Sequence, residues 1–209
     1  MKKSALPGKS RLRAIATKGQ GNPREIGFYR ANEKPYGVFS NLFRRLIVFE
    51  GRDYPTAEHA YQAGKPRKEN VREWILNAPT AGLVAMAAHG LYTWDIVPNW
   101  SRIKYDRMRR VLRAKFSQHD DLLQVLLSTG DARLVEVGRV NNAVNRTWGE
   151  VNGKGLNMLG VLLMDLRAEL RKEAPPQHGK ATHLQRQTRS TKTTFAAIQT
   201  GERIHRQQA

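Results

Sequence analysis

The sequence contains no cysteine. That excludes a disulfide framework, a thiolate metal site and thiol catalysis, and it leaves any zinc to histidine and carboxylate ligands. Acidic residues are scarce: 18 Asp and Glu stand against 36 Lys and Arg, a formal net charge of +18 at pH 7. Such an excess points to an anionic partner, whether nucleic acid, a phosphorylated ligand or a membrane surface. Long apolar runs are also missing. The best, Leu159 to Met164, is far short of the roughly 20 residues that span a bilayer and suits a buried helix face. No membrane partner is expected, and the protein is expected to be soluble and cytoplasmic. The basic first 24 residues hold no apolar segment of the length a secretory signal needs, and Pro7, Gly8, Gly19 and Gly21 interrupt any amphipathic helix of the transit-peptide kind.

The chain has 209 residues, enough for one domain of about 150 residues with extensions. Its charge is unevenly placed. Residues 1 to 24 hold seven basic and no acidic side chains, residues 171 to 209 hold eight and two, and the stretch between them holds 21 against 16. Of the 16 aromatic residues, 15 fall between Phe28 and Trp148. Tails without aromatics or apolar periodicity cannot offset their own ordering entropy. The sequence therefore divides into a basic flexible arm at 1–24, a folded domain at 25–172 and a basic low-complexity tail at 173–209, with a weak helical pattern near Phe195 to Ile204.

Within the domain, Ile26 to Arg30, Leu46 to Glu50 and Arg133 to Val137 read as short strands, the second followed by a turn signal at Gly51-Arg52-Asp53. Helical patterns dominate elsewhere. Thr56 is placed to cap a helix through AEHAYQAGK, and others follow at Glu69 to Asn77 and Thr80 to His89. Ser101 to Phe116 sets Ile103, Met108, Val111, Leu112 and Phe116 near one face. Ser117-x-x-Asp120 has the form of a capping box opening a helix to Leu127. Last, Leu159, Leu162, Leu163, Leu166 and Leu170 form a stripe on a helix that Asn157 could cap. Together these give a helix-rich α+β domain with a few short strands, not an alternating βαβ array.

Three segments hold residues suited to chemistry. In PTAEHAYQAGK, helical spacing sets Glu58, Tyr61, Gln62 and Lys65 on one face. That face reads either as solvated surface with a Glu/Lys pair, or as a catalytic carboxylate near a helix start, held as an anion by the helix dipole and oriented by Gln62 and Lys65. In TWDIVPNWSRIKYDRM, Trp94 and Trp100 read either as core anchors or, for Trp100, as one wall of a pocket for a flat base. In WGEVNGKGLNMLG, a Gly-rich turn could bring backbone N–H groups and Lys154 against a phosphate, or be a turn only. It is not a Walker A loop, because three residues separate Gly149 from Gly153-Lys154 and Gly155 stands where Ser or Thr would ligate magnesium. His59, His89 and His119 have neither metalloprotease nor triad spacing and read as ordinary polar or capping residues. No metal and no cofactor is expected.

An ordered set of motifs runs through the domain: FSNL at Phe39 to Leu42, PTAEHAYQAGK at Pro55 to Lys65, NWSRIKYDRM at Asn99 to Met108, LRAKFSQH at Leu112 to His119, STGDARLVE at Ser128 to Glu136, WG at Trp148-Gly149 and GLNMLGVLLMDLR at Gly155 to Arg167. This set resembles the YbiA-like riboflavin-intermediate N-glycosidases of the NADAR superfamily, over about Phe28 to Leu170. The resemblance implies a single α+β domain and metal-free hydrolysis of the N-glycosidic bond between ribose and a nitrogenous base. It makes Glu58 the catalytic glutamate and Trp100 the functional tryptophan, with Lys104 and Met108 in register. Substrate contacts are then expected from Ser40, Asn41, Tyr61, Gln62, Trp148, Gly149 and Asn157, and phosphate contacts from Lys65, Lys104 and Lys154.

Two departures from the family pattern stand out. Asn145 occupies the place of an Asp three residues before the WG tryptophan, in a segment longer than usual. Asn cannot act as a base, but it can orient water or a ribose hydroxyl, and it is the third expected catalytic residue unless the longer segment shifts that role to Asn142 or Glu150. His89-Gly90-Leu91 replaces a Gly-Arg pair. The substrates implied are phosphorylated ribosylamino-pyrimidine intermediates of riboflavin biosynthesis, or ADP-ribose attached to a guanine base of DNA, with the basic arms adding salt-sensitive affinity for nucleic acid. The alternatives are an NAD- or ADP-ribose-binding module without hydrolysis and a nucleic-acid-binding module acting through the arms.

Overall fold

The structure, a computed structural model, describes residues 24–173; the arms and the helical pattern near Phe195 lie outside the described residues. Two pairs of strands carry the fold. β1 (Glu25–Phe28) pairs in parallel with β4 (Arg133–Glu136), register Glu25 to Arg133 and Phe28 to Glu136. β2 (Arg44–Phe49) and β3 (Arg52–Thr56) form an antiparallel hairpin. Its turn is Glu50-Gly51, one residue earlier than the sequence signal. Both residues have positive φ, 51° and 76°, the geometry whose twist matches that of two-residue hairpins.

Seven helices complete the described domain: α1 (Ala57–Gln62), α2 (Glu69–Leu76), α3 (Ala81–His89), α4 (Trp100–Ser117), α5 (Asp120–Ser128), α6 (Ala143–Trp148) and α7 (Met158–Glu173). Thr56, Thr80 and Asn142 cap α1, α3 and α6, each side-chain oxygen accepting from the backbone N–H three residues on. The helix-rich α+β reading of the sequence therefore holds.

Three local expectations are corrected. Ser117 closes α4 instead of opening α5, and Asp120 is the first residue of α5, so no capping box forms; His119 occupies the cap position with its ring bonded to the Leu46 carbonyl. Ile103 is exposed, since the buried stripe of α4 begins one turn later with Arg107 and Met108 and continues through Val111, Leu112 and Phe116. Asn157 does not cap α7 with its side chain. Its amide instead accepts from Glu136 N at 3.0 Å and donates to Leu134 O at 2.8 Å, pinning the helix start to β4. The expected leucine stripe of α7 is buried throughout. Gly160 permits that contact, because a Cβ there would lie 2.1 Å from the Leu134 carbonyl oxygen.

The core joins α4 and α7 to both strand pairs around Phe28, Phe39 and Phe116. α1 is buried along its whole length. From α4, Arg107 donates to the carbonyls of Ala60 and Tyr61 at 2.6 and 3.0 Å and pairs with Glu50 at 2.9 Å, satisfying the C-terminal end of α1. The domain's two ends meet at one edge. The Arg24 carbonyl accepts from Arg133 N, and Arg171, near the end of α7, donates to Asp131 and to the Gly130 carbonyl.

Candidate active site

Burial on α1 makes the solvated-surface reading untenable: Glu58 is 8 % exposed, Gln62 2 % and Lys65 9 %. Gln62 Nε2 donates to Glu58 Oε1 at 2.8 Å, fixing the carboxylate as expected. Lys65 acts differently, its ammonium donating to the Ala88 carbonyl at 2.5 Å. Burial works against the expectation that Glu58 is held as an anion, while Gln62 and Lys65 work for it. Burial pushes its carboxyl from 4.5 up to about 7, outweighing the opposing bond from Gln62 and the charge of Lys65.

The turn before β2 supplies the facing wall. Lys115 of α4 is fully buried and donates to the Val38 and Ser40 carbonyls at 2.5 and 2.9 Å. Asn41 then presents its own carbonyl to Glu58 N at 3.0 Å and its amide nitrogen to Met108 Sδ at 3.2 Å. These bonds leave Asn41 Oδ1 and Gln62 Oε1 buried without a partner among the described residues. Both side chains line the same cavity, and an unpaired buried acceptor calls for a donor from a ligand or water.

That cavity encloses about 470 Å³ and is walled by Ser40, Asn41, Glu58, Tyr61, Gln62, His89, Asn145 and Trp148, among others. It also holds a carboxylate the sequence reading passed over. Glu136, at the C-terminal end of β4, is pushed from 4.5 up to about 7 by burial and by the charge of Glu58. A second lobe of about 260 Å³ shares Tyr61, Gln62, His89, Val144 and Trp148 and adds Lys65, Trp100, Ser101, Lys104 and Thr147. Aromatic rings separate the lobes: Tyr61 lies 5.3 Å from Trp100 and 5.5 Å from Trp148 between ring centroids. Lys104 Nζ sits 4.8 Å from the Tyr105 ring centroid and 6.0 Å from that of Trp148.

The cleft thus has a carboxyl end and a cationic end joined by an aromatic wall. Trp100 is the first residue of α4 and is partly buried against the core. Trp94 is 65 % exposed, which overturns the core-anchor reading for it. Asn145 reaches the carboxyl end, its Nδ2 donating to the Val140 carbonyl at 2.7 Å. The two residues considered in its stead are engaged elsewhere: Asn142 caps α6, and Glu150 pairs with Arg133. Lys154 lies in an exposed turn outside the walls of both lobes. Gly149 and Asn157 act through the backbone around Glu136: Glu150 N donates to the Glu136 carbonyl, and a Cβ on Gly149 would lie 2.2 Å from that oxygen. His89, at one departure from the family pattern, lines both lobes; burial and Lys65 lower its pKa and favour the neutral ring. Among the described residues no group of three or more His, Asp or Glu side chains is placed to hold a metal ion.

Residues 27–171 match the NADAR domain. The chain belongs to the NADAR family. It is 40% identical over 146 residues to N-glycosidase YbiA of Shigella flexneri serotype 5b (strain 8401), covering 69% of this chain and 88% of that protein. It is 36% identical over 149 residues to N-glycosidase Npun_R5314 of Nostoc punctiforme, covering 70% and 92%. The NMR structure of E. coli YbiA superposes with a TM-score of 0.64 at 36% identity, covering 78% of this chain and 95% of that one. Another relative, 33% identical over 151 residues, is the riboflavin biosynthesis protein VVA0006 of Vibrio vulnificus; the match covers 72% of this chain and 40% of that longer protein. Among the described residues of this NADAR chain, no helix is long and apolar enough to cross a membrane.

Proposed function

We propose that the protein is an N-glycosidase that hydrolyses the bond between ribose and a nitrogenous base in a phosphorylated, ribosylated substrate. The observation that carries this reading is the pair of carboxyls, Glu58 and Glu136, each shifted to about 7 in one aromatic-walled cavity. Gln62 and Lys65 favour the ionised form of Glu58, and that charge in turn favours the protonated form of Glu136. At neutral pH one site then offers a base and an acid, the division of labour that glycoside cleavage needs.

In the reaction, Glu58 takes a proton from water as the water oxygen bonds to the anomeric carbon. The carbon–nitrogen bond breaks, its electron pair stays with the base, and Glu136 delivers a proton to the departing nitrogen. The products are the free base and the ribosyl hydroxyl, and the proton returns from Glu58 to Glu136 through solvent. The Glu58 carboxylate stabilises the oxocarbenium-like charge. Asn41, Gln62 and Asn145 accept bonds from ribose hydroxyls or base N–H groups; Trp148, Tyr61 and Trp100 flank the flat base; Lys65 and Lys104 hold the phosphate. Asn145 need not ionise, because Glu136 supplies the second titrating group.

Two substrates fit this description: phosphorylated ribosylamino-pyrimidines, in line with the riboflavin biosynthesis names of relatives, and ADP-ribose attached to guanine. Incubation with each, followed by mass spectrometry, should show freed base. Glu58→Gln should lower base release by about 10²–10⁴-fold while leaving ligand binding. A wild-type protein that binds but frees no base from either would be a binding module, and the hydrolase reading would fall.

A further inference from the structure

The chain between β4 and α6 is tied to itself and to the carboxyl lobe, and the proposed reaction leaves that tie unused. Val137 N donates to the Phe28 carbonyl at 2.9 Å and Gly138 N to the Glu150 carbonyl at 2.7 Å, carrying the sheet one step past β4. The chain then leaves the sheet and turns back. A Cβ on Gly138 would lie 3.0 Å from Cβ of Asn145, so the two ends of the 138–145 segment touch. Between them the Val140 carbonyl accepts twice, from Asn142 N at 3.0 Å and from Asn145 Nδ2 at 2.7 Å, while Asn142 Oδ1 accepts from Asn145 N at 2.8 Å. Side-chain amides thus supply the bonds that a helix or sheet would otherwise give this exposed backbone.

Two side chains of this segment reach the carboxyl lobe in different ways. Asn145 lines it directly, one turn of α6 before Trp148. Arg139 stays outside both lobes, but its guanidinium carbon lies 4.7 Å from the ring centroid of Tyr29, which lines the carboxyl lobe just past the end of β1. The Tyr29 ring is partly exposed, and a guanidinium lying over it restricts its rotation. The bond to Val140 has a direction, because a carbonyl only accepts. It takes the NH2 of Asn145 and turns the amide oxygen away from Val140. A carboxylate or an alkyl group at 145 has no proton to give.

We propose that Asn145 is a positioning residue: by holding the Val140 carbonyl it sets Arg139 on Tyr29, and so fixes an outer wall of the lobe against which the base is held. This rests on the reading of the carboxyl lobe as the base site, and it adds a specificity element, the 138–145 segment with Tyr29. Asn145 acts twice, its oxygen toward ribose or base and its NH2 through the segment. The second action is separable from the first because Arg139 lies outside the lobe.

Calorimetric binding by the full chain in a Glu58→Gln background, where base release is suppressed, tests this. The probes are a phosphorylated ribosylamino-pyrimidine and ribose 5-phosphate, and the ratio of their affinities reads the hold on the base. Arg139→Ala should lower that ratio about twofold to fivefold with ribose 5-phosphate unchanged, and Arg139→Lys, which keeps a cation over the ring, should recover most of it. Asn145→Leu should lower the ratio further. Adding Arg139→Ala to Asn145→Leu should change nothing more, since the segment is already released. Amide exchange across 138–145 should quicken in Asn145→Leu with or without ligand. Arg139 is exposed, so its truncation spares the core, and an unchanged melting temperature checks this. Additive losses, an Arg139→Ala ratio equal to that of its parent, a loss shared equally by both probes, or unchanged exchange overturns the proposal. A protein that frees no base yet shows the coupled loss keeps this inference and loses the hydrolase reading; base release with additive losses does the reverse.

Discussion

Among the described residues, Glu58 and Glu136 differ from every other carboxylate whose ionisation is shifted: Glu50, Glu73 and Asp131 are all pulled down by arginines. Catalysis as proposed needs Glu58 ionised and Glu136 protonated, so base release should rise with pH through the acid limb and fall again above about 7, with apparent values that belong to the pair. Glu136→Gln should lower kcat by about 10²-fold or more and remove the alkaline limb, because the amide has no proton to lose. A pH–rate profile of that variant checks this, and an alkaline limb that persists would assign it elsewhere. Spacing alone left Glu58 open between solvated surface and a catalytic carboxylate, and the family motif singled it out. Glu136 was not legible, because a glutamate ending a four-residue strand looks solvent-facing in RLVE; the pairing of β4 with β1 brings that strand end to the cavity. His89 was hidden in the same way, since a histidine in the last turn of a helix already has a local explanation as a dipole partner.

At the scale of elements, the site depends on a turn held from behind. Lys115 sits beside Phe116 on the buried face of α4, and burial pushes its ammonium from 10.5 down to about 7. A neutral amine has two N–H donors, and it meets two carbonyls, Val38 and Ser40. Since the folded value lies below the unfolded one, the unfolded chain binds a proton that the folded chain does not between about 7 and 10.5, and stability rises with pH across that window. Lys115→Met should abolish this rise and strand two buried carbonyls, at a cost of about 1–3 kcal/mol. It should also raise KM more than it lowers kcat, because the 38–41 turn carries Ser40 and Asn41 into the cavity. Melting temperatures of both proteins from pH 7 to 10 give the first result and steady-state rates the second. Periodicity and turn signals revealed every strand and helix but β3 and α6, and they treat a lysine as polar wherever it falls, so Lys115 amid Val111, Leu112 and Phe116 gave no sign of its burial. The Thr56 cap was legible, since no other bond competes for its helix start, and caps were misread at Asn157 and Ser117, where strand pinning and helix continuation took the side chain.

At the scale of the molecule, the charge of +18 and the site are largely separate matters, since the carboxyl pair works with a few local cations while most of the excess lies in residues 1–24 and 171–209. Removing 1–23 and 174–209 should strip most low-salt affinity for DNA and flatten the dependence of binding on salt, as fluorescence anisotropy would show. Equal binding by the trimmed and full chains would place that affinity on the domain.

The edge where Arg24 meets Arg133 and Arg171 meets Asp131 sets a geometric condition on this affinity. Arg24 and Arg171, the described residues at the borders of the two basic segments, lie beside the start of β4, about 10 Å along the strand from Glu136 at its end. If both basic segments bind one nucleic acid, roots this close would let engagement of one raise the effective concentration of the other. Loss of either segment alone should therefore cost much more than half of the joint avidity. A strand held in that way would meet the described domain at one rim, one short strand's length from the carboxyls.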